Sequence, residues 1–254
     1  MPRAAGRRRR SKFLTLLRVQ LKLAFREPYA LGMGVALPVV LLVVFGFISK
    51  AVRGGVAGTG LSVIDLYVPT LMVIAFVAIG VSLPNTLVRD REIGWLRRVS
   101  TTPLPPWQLL GVQLIISVAL AVVAIVIILV GGVVIFGASI TVGIPFFILS
   151  LILSMAEIFA LGLLIVALVP NQTVASPVAG ASFFALLFLA GLWIQPAQIG
   201  GPLQLIMWYS PSGAAARALL YSVYNHLPLI TTLIALIGYT VVFALLAVRY
   251  FRWE

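Results

Sequence analysis

The chain has 254 residues, of which 62% are hydrophobic and only 9% charged, with a formal net charge of +12. Soluble domains are about 45–50% apolar and about 25% charged, so this composition excludes a soluble globular protein. Apolar runs of about twenty residues can cross the bilayer as helices, which predicts an all-α polytopic membrane protein. The sequence has no cysteine, which excludes disulfides and thiolate metal sites.

The first predicted element is an amphipathic helix at residues 11–27. A polar stripe follows it at steps of three or four residues: Ser11, Thr15, Arg18, Lys22 and Arg26. Such a helix can lie in the headgroup plane with its cations toward anionic lipid. The alternative is a cytoplasmic extension of the first span, which is less favoured because Pro28 interrupts the helix. We therefore expect an N-terminal interfacial helix.

Six apolar runs are long enough to be transmembrane helices. Their approximate bounds are 31–48, 66–88, 112–136, 144–169, 174–194 and 229–248. Cytoplasmic loops carry an excess of Lys and Arg. With the N terminus inside, fifteen of the eighteen basic residues are cytoplasmic, and only Lys50, Arg53 and Arg217 are not. The positive charge is thus explained by topology rather than by a nucleic-acid partner. We predict a multi-pass protein of the cell membrane with both termini in the cytoplasm.

The only sizeable cytoplasmic loop in this topology is 89–107, which has the sequence RDREIGWLRRVSTTPLPPW. The pattern predicts a short helix, because Asp90 can cap it and Glu92 complements the dipole in its first turn. Trp95 lies beside an apolar ridge of this helix, and Pro103 ends it. The residues alone leave two interpretations open: a surface moved by another protein, or an anchoring loop whose arginines set the topology.

Glu157 is the only ionisable residue well within a predicted span, near the middle of 144–169. A lone charged carboxyl is costly in the bilayer, so it should face protein or water, be neutral or have a partner. Two interpretations stay open. Glu157 either contacts a substrate or gates a subunit interface, or it is a protonated side chain that is hydrogen-bonded to a neighbouring helix.

Residues 195–228, on the predicted outer side, are too interrupted by Pro and Gly to span the bilayer and too apolar for a water-exposed loop. Short helices that enter the membrane and return would satisfy both facts, provided that protein or a wet cavity surrounds the irregular backbone. We therefore predict an outer re-entrant segment. The Gly-rich residues 50–65 lack the context of a phosphate-binding loop and are predicted to be a flexible outer loop.

Several kinds of chemistry are missing from the sequence. No GxxxxGK[ST] motif occurs, which argues against a P-loop ATP site on this chain. The single histidine, His226, and the few acids form no pattern for metal binding or acid–base catalysis. We therefore predict no enzyme activity, no metal and no cofactor on this chain. The scarcity of intramembrane carboxylates also argues against a proton- or sodium-coupled carrier.

Two patterns together resemble the ABC-2-type transporter permeases. The first, in the cytoplasmic loop, is Arg91-Glu92-Ile93-Gly94-Trp95-Leu96-Arg97-Arg98 followed by Thr102-Pro103. The second, in the outer segment, is Gly201-Pro202-Leu203, then Tyr209-Ser210-Pro211 and Arg217-Ala218-Leu219. The order of predicted elements along the whole chain is similar too. The likeness is closest to bacterial exporters of the daunorubicin-resistance permease type.

The resemblance implies that residues 90–101 form a coupling helix that docks on a separate ATPase subunit. The residues it assigns to coupling are Arg91, Glu92, Gly94, Trp95, Leu96, Arg97, Arg98 and Pro103. It also implies a second permease subunit, identical or related, with the substrate path between the two. The outer segment, with Pro202, Pro211 and Arg217, would form a lid. ATP and Mg²⁺ would be bound by the ATPase partner. The short, uncharged loop 170–176 departs from the pattern and argues against a second sizeable ATPase contact.

The expected function is therefore the membrane-spanning subunit of an ATP-driven exporter, with amphipathic drugs or antibiotics as substrates. The first alternative is a permease of the same architecture that moves a lipid or a polymer. The second, of a different class, is a membrane scaffold or assembly protein that transports nothing.

Overall fold

The computed structural model describes residues 32–52, 61–92, 107–141 and 143–250, without the side chains of residues 90 and 107–110. Every regular element in these ranges is a helix, and none is a strand. The predicted interfacial helix at 11–27 lies outside the described residues. So do most of the predicted coupling residues: Gly94, Trp95, Leu96, Arg97, Arg98 and Pro103.

Nine helices are present in the described ranges. The first five are α1 (Leu37–Ala51), α2 (Val63–Glu92), α3 (Trp107–Val130), α4 (Ile144–Leu168) and α5 (Gln172–Leu189). Three short helices follow, α6 (Pro196–Ile199), α7 (Gly201–Tyr209) and α8 (Pro211–Val223), and then the long α9 (Ile230–Tyr250). π-Helical turns at Gly32–Ala36 and Gly131–Ile135 extend α1 and α3. Six of these helices, α1 to α5 and α9, are long and apolar enough to cross a bilayer, which confirms the predicted all-helical fold with six spans.

Helix α2 begins with a reciprocal cap. The Asp65 N–H donates to Ser62 Oγ at 3.3 Å, and the Ser62 N–H donates to Asp65 Oδ2 at 2.9 Å. The two bonds satisfy backbone donors that the first turn of a helix leaves open. The other carboxylate oxygen, Oδ1, accepts the Ser139 N–H at 2.8 Å. Asp65 thus fixes the start of α2 to the turn after α3. This end of the bundle is called the Asp65 end below, and the opposite end, where α2 finishes, the Arg91 end.

Helix α2 lies in the centre of the bundle. It contacts α1, α3, α4, α5 and α8, and 89% of its most apolar window is buried inside the protein. Helix α9 is the opposite case: it packs mainly on α4, and only 17% of its window is buried. Large apolar side chains on the outer helices are exposed, for example Phe47 on α1 and Val248 on α9. In a membrane protein such faces meet lipid or another subunit.

The central helix meets α4 through two glycines. A Cβ atom on Gly162 of α4 would collide with the carbonyl oxygen of Gly80 on α2. A Cβ on Gly80 would in turn lie 2.9 Å from Ile158 Cγ2. Small residues allow membrane helices to approach until their backbones touch, and the packing gained there holds them together. The crossing of α2 and α4 therefore depends on the absence of side chains at these two positions.

The fifth spanning helix is shorter than the apolar run 174–194. It ends at Leu189, after which Gly191 adopts a φ of +86°. That left-handed conformation is open to glycine at little cost, and it turns the chain before Pro196 starts α6. The remaining apolar residues up to position 194 belong to the turn.

The segment predicted to be re-entrant forms the three short helices α6, α7 and α8. Each has a proline in its first turn, including Pro202 in α7 and Pro211 in α8, where a missing N–H costs nothing. Ser210 caps α8 by accepting the Gly213 N–H at 3.2 Å. The Ser212 hydroxyl donates to the Leu186 carbonyl at 2.7 Å, which ties α8 to α5. How deeply these helices enter the membrane stays a prediction.

The glycine contact predicts a large effect of one methyl group. Gly162→Ala should lower the unfolding free energy by about 1–3 kcal/mol, because the added Cβ forces α2 and α4 apart. Gly180→Ala on α5 is the matched control: nothing lies within 4 Å of that position, and alanine there should be neutral or stabilising. Thermal unfolding of the purified protein in lipid nanodiscs measures both. A Gly162→Ala protein as stable as its Gly180→Ala counterpart would show that the crossing is not close-packed.

Candidate functional site

Arg91, in the last turn of α2, is bound to the end of α4. Its Nη2 atom donates to the carbonyl oxygens of Val169 and Pro170, both at 2.7 Å. The last carbonyls of a helix lack partners within the helix and carry its partial negative charge. A guanidinium group supplies these carbonyls with both hydrogen-bond donors and a positive charge. Arg91 therefore joins the end of α2 to the turn between α4 and α5.

Glu92 makes the complementary contact with the start of α5. Its Oε1 atom accepts the backbone N–H of Gln172 at 2.7 Å. Gln172 is the first residue of α5, so a negative charge lies at the positive end of that helix. A third bond, from Ser176 Oγ to Asn85 Oδ1 at 3.1 Å, joins α2 and α5 nearby.

These contacts form a brace, defined here as Arg91 and Glu92 with their partners in residues 169–172. The brace lies where residues 93–106 leave α2. The brace therefore connects the end of the central helix to the α4–α5 turn at the point where this segment begins. The coupling role that the sequence assigned to Arg91 and Glu92 stays a prediction, and the brace shows what these two side chains contact within their own chain.

Glu157 lies within α4 and is fully buried, with 0% of its surface exposed. Ser150 and Ser154 lie on the same face of the helix, four and three residues apart, and are also fully buried. Neither carboxyl oxygen nor either hydroxyl has a hydrogen-bond partner within the described residues. Unpartnered buried polar groups are costly, so this group of side chains needs an explanation beyond packing.

A cavity of about 100 Å³ lies at the Asp65 end. Its walls come from the first turns of α2, the turn after α5, and helices α6, α7 and α8. The side chains with hydrogen-bonding groups that line it are Thr70, Gln195, Gln198, Trp208 and Arg217. No Asp or Glu is among its lining residues, so the cavity is rich in donors and has no carboxylate.

Arg217 of α8 is held over aromatic rings at this cavity. Its guanidinium carbon lies 4.4 Å from the centre of the Trp208 ring and 6.0 Å from those of Tyr209 and Tyr221. These distances are within the range of cation–π attraction. The pKa of the Tyr209 hydroxyl is lowered, first by a hydrogen bond with Thr231 and also by Arg217. Arg217 Nη1 is buried and has no acceptor in the part of the chain that the structure describes.

The site residues predicted from the sequence do not form one cluster. Arg91 and Glu92 lie at the Arg91 end, Glu157 lies midway along α4, and Arg217 lies with Pro202 and Pro211 on the short helices at the Asp65 end. The sequence reasoning missed Gln195, Thr70 and the Ser62–Asp65 cap. Only the cap has a local signal, the S-x-x-D pattern before an apolar run.

The arrangement of six apolar helices and three short helices before the last of them agrees with the comparison to known families. The model of the ABC-2 type transporter family matches residues 11–224. The chain belongs to this family. The match extends through α8 and ends before α9, and it confirms at family level the resemblance drawn from the two motifs. No curated protein matches the sequence.

The permease is accordingly a multi-pass membrane protein, and its matched domain is a transport domain that lacks an ATPase site. Permeases of this family work with ABC ATPases. Within the described residues, no three His, Asp or Glu side chains come together in a group that could hold a metal ion.

Proposed function

We propose that the permease is the membrane-spanning subunit of an ATP-driven exporter, and that a separate ABC ATPase binds ATP with Mg²⁺ and hydrolyses it. The observation that carries this proposal is the family match over residues 11–224. The sequence supports the division of labour, because it contains no GxxxxGK[ST] motif that could cradle phosphates.

The coupling segment 89–107 is the proposed point of contact with the ATPase. Two observations support it. The brace connects this segment to the α4–α5 turn through Arg91 and Glu92. The helix that leads into the segment, α2, contacts five other helices. A push on residues 93–106 would therefore reach most of the bundle through one buried element.

The proposed orientation places the Arg91 end in the cytoplasm, in the cell membrane, with both termini on that side. The support is the distribution of the basic residues, of which fifteen out of eighteen fall there. We also propose a second permease subunit, identical or related. The apolar faces of α1, α3 and α9 are far more exposed than α2, so the chain has ample surface for one.

The proposed substrates are amphipathic drugs or antibiotics that enter from the bilayer. Spans with so few polar residues suit molecules that are themselves largely apolar. A lipid is the second candidate, and the donor-rich cavity around Arg217 favours it, because lipid headgroups carry acceptor oxygens. The alternative of a scaffold protein without transport activity gives no function to the brace or to the cavity.

The coupling proposal predicts the effect of a charge on the predicted apolar ridge of the segment, at Leu96, or beside it, at Trp95. Trp95→Asp or Leu96→Asp should lower ATP-driven transport about tenfold or more, because a carboxylate in an apolar contact costs several kcal/mol. The spans should still insert. The experiment purifies the tagged permease from native membranes, identifies the co-purifying chains, and measures ATP hydrolysis and transport in proteoliposomes.

The control is Val52→Asp, which places the same charge at an exposed position of the Asp65 end directly after α1 and should leave transport near the wild-type rate. Two results would refute the coupling proposal: full transport by the Trp95 and Leu96 variants, or transport by a preparation that contains no ATPase chain.

We further propose that Glu157 acts in the transport pathway. Glu157→Gln and Glu157→Met should both impair transport with assembly intact, because both remove the ionisable group. Only Glu157→Met should also stabilise the fold, by about 1–3 kcal/mol, since it removes an unpartnered buried polar group. Thermal unfolding and transport assays measure the two effects. Unchanged transport in both variants would remove Glu157 from the mechanism, and destabilisation by methionine would indicate a structural partner for the carboxyl.

A further inference from the structure

The cavity at the Asp65 end presents donors without acceptors. Arg217 Nη1 and Gln195 Nε2 are both buried and have no acceptor among the residues that the structure describes, and both side chains line the cavity. Guanidinium and amide nitrogens can only donate. A ligand that satisfied them would have to bring acceptor oxygens.

The described residues that line the cavity also bring a positive charge and no negative one. Its lining residues include one arginine and no acid. Asp65, which is near in sequence to the lining residue Thr70, already accepts the N–H groups of Ser62 and Ser139. Among the described residues, the lining of the cavity therefore supplies no carboxylate for Arg217.

The size and rigidity of the cavity suit a small anionic group. A volume of about 100 Å³ is enough for several water molecules, and so for a tetrahedral group of comparable size. Trp208 holds the guanidinium group from one side at 4.4 Å, which limits its rotation. A planar guanidinium that is fixed in this way can present two parallel N–H groups to a phosphate.

An apolar surface borders the same cavity. Leu205 lies one helical turn before Trp208 on α7, and Leu205 and Ile206 are 54% and 59% exposed. A residue three positions away is a neighbour on the helix surface. A molecule with a phosphate in the cavity could therefore lay an acyl chain against α7.

From these observations we infer that the cavity around Arg217, Gln195 and Thr70 binds a phosphate group, and that its occupant is the headgroup of an anionic phospholipid. This site is distinct from the proposed ATPase contact, which lies at the opposite end of the bundle. It does not require that the permease exports drugs. Free inorganic phosphate shares the same chemistry, and the test separates the two sources.

The test titrates the purified full-length permease in detergent with dioctanoyl phosphatidylglycerol, with dioctanoylglycerol, which lacks the phosphate, and with inorganic phosphate. Tryptophan fluorescence reports binding, since Trp208 forms part of the cavity wall. Wild-type protein should bind phosphatidylglycerol saturably and at least about tenfold more tightly than dioctanoylglycerol. Arg217→Gln should weaken that binding about tenfold or more, and Gln195→Leu by a smaller factor.

Lys50→Gln is the matched control, because Lys50 is an exposed cation at the same end of the bundle whose ammonium bonds to the Ile135 carbonyl and does not line the cavity. It should bind like the wild type. If Arg217→Gln fails to fold, Arg217→Lys serves in its place, because it keeps the charge and loses the bidentate hydrogen bonding of the guanidinium group. It should still weaken binding several-fold. Inorganic phosphate that binds as tightly as the lipid would support the phosphate site and assign it to free phosphate. Equal affinity of wild type and Arg217 variants, or of the two lipids, would overturn the inference.

Discussion

Helices α2 and α4 pass each other with glycine against glycine, and the rest of the bundle is arranged around that contact. Without a side chain at Gly80 or Gly162, the backbones come as close as their own atoms permit. In a membrane the apolar effect does little to bring helices together, because lipid is as apolar as leucine. Close backbone packing is therefore the main source of order between these two helices, and it holds α2 in the centre of the protein.

A central α2 gives the proposed coupling a physical route. The helix is fixed at one end by Asp65, which links it to the turn after α3, and at the other by the brace to the α4–α5 turn. Both fixations use charged side chains on helix ends, where the dipole makes them most effective. In the proposed coupling, a helix that is attached at both ends and buried along most of its length would pass a displacement on to its neighbours, although Pro69 and Pro84 interrupt its backbone hydrogen bonds. The cavity of Arg217 lies beside the first turns of that same helix.

The sequence predicted the six spans well, because a helix in lipid must be about twenty apolar residues long for its backbone to be satisfied. It could not tell which span is central. Helix α3 has a higher mean hydropathy than α2. Nevertheless, only 33% of its most apolar stretch is buried inside the protein, compared with 89% for α2. Lipid-facing and protein-facing positions are both apolar, so composition does not separate them. The apolar run 174–194 also hid the end of α5, because leucine and isoleucine fill the turn after Gly191 as readily as a helix.

Sequence reasoning identified only part of the candidate site. Arg217 and the Arg91-Glu92 pair were found through family motifs, and the structure then showed contacts of theirs that no motif states. Arg217 meets the Trp208 ring across a turn between two helices, and Arg91 reaches a loop 78 residues away in the chain. Gln195 was not predicted, since its proposed role depends on a cavity that five separate elements enclose. Such features depend on tertiary distance, which local patterns do not encode.

The central claim is that a nucleotide-hydrolysing partner binds residues 93–106 of this chain and moves the bundle through them. The sequence has no cysteine, so a single Trp95→Cys change gives one defined attachment point for a short cysteine-reactive photo-crosslinker in native membranes. The account predicts a covalent product with an ABC ATPase chain, and none from the same label at Asn225 of the opposite end. A product containing only lipid, or only chains without a nucleotide-binding motif, would contradict it.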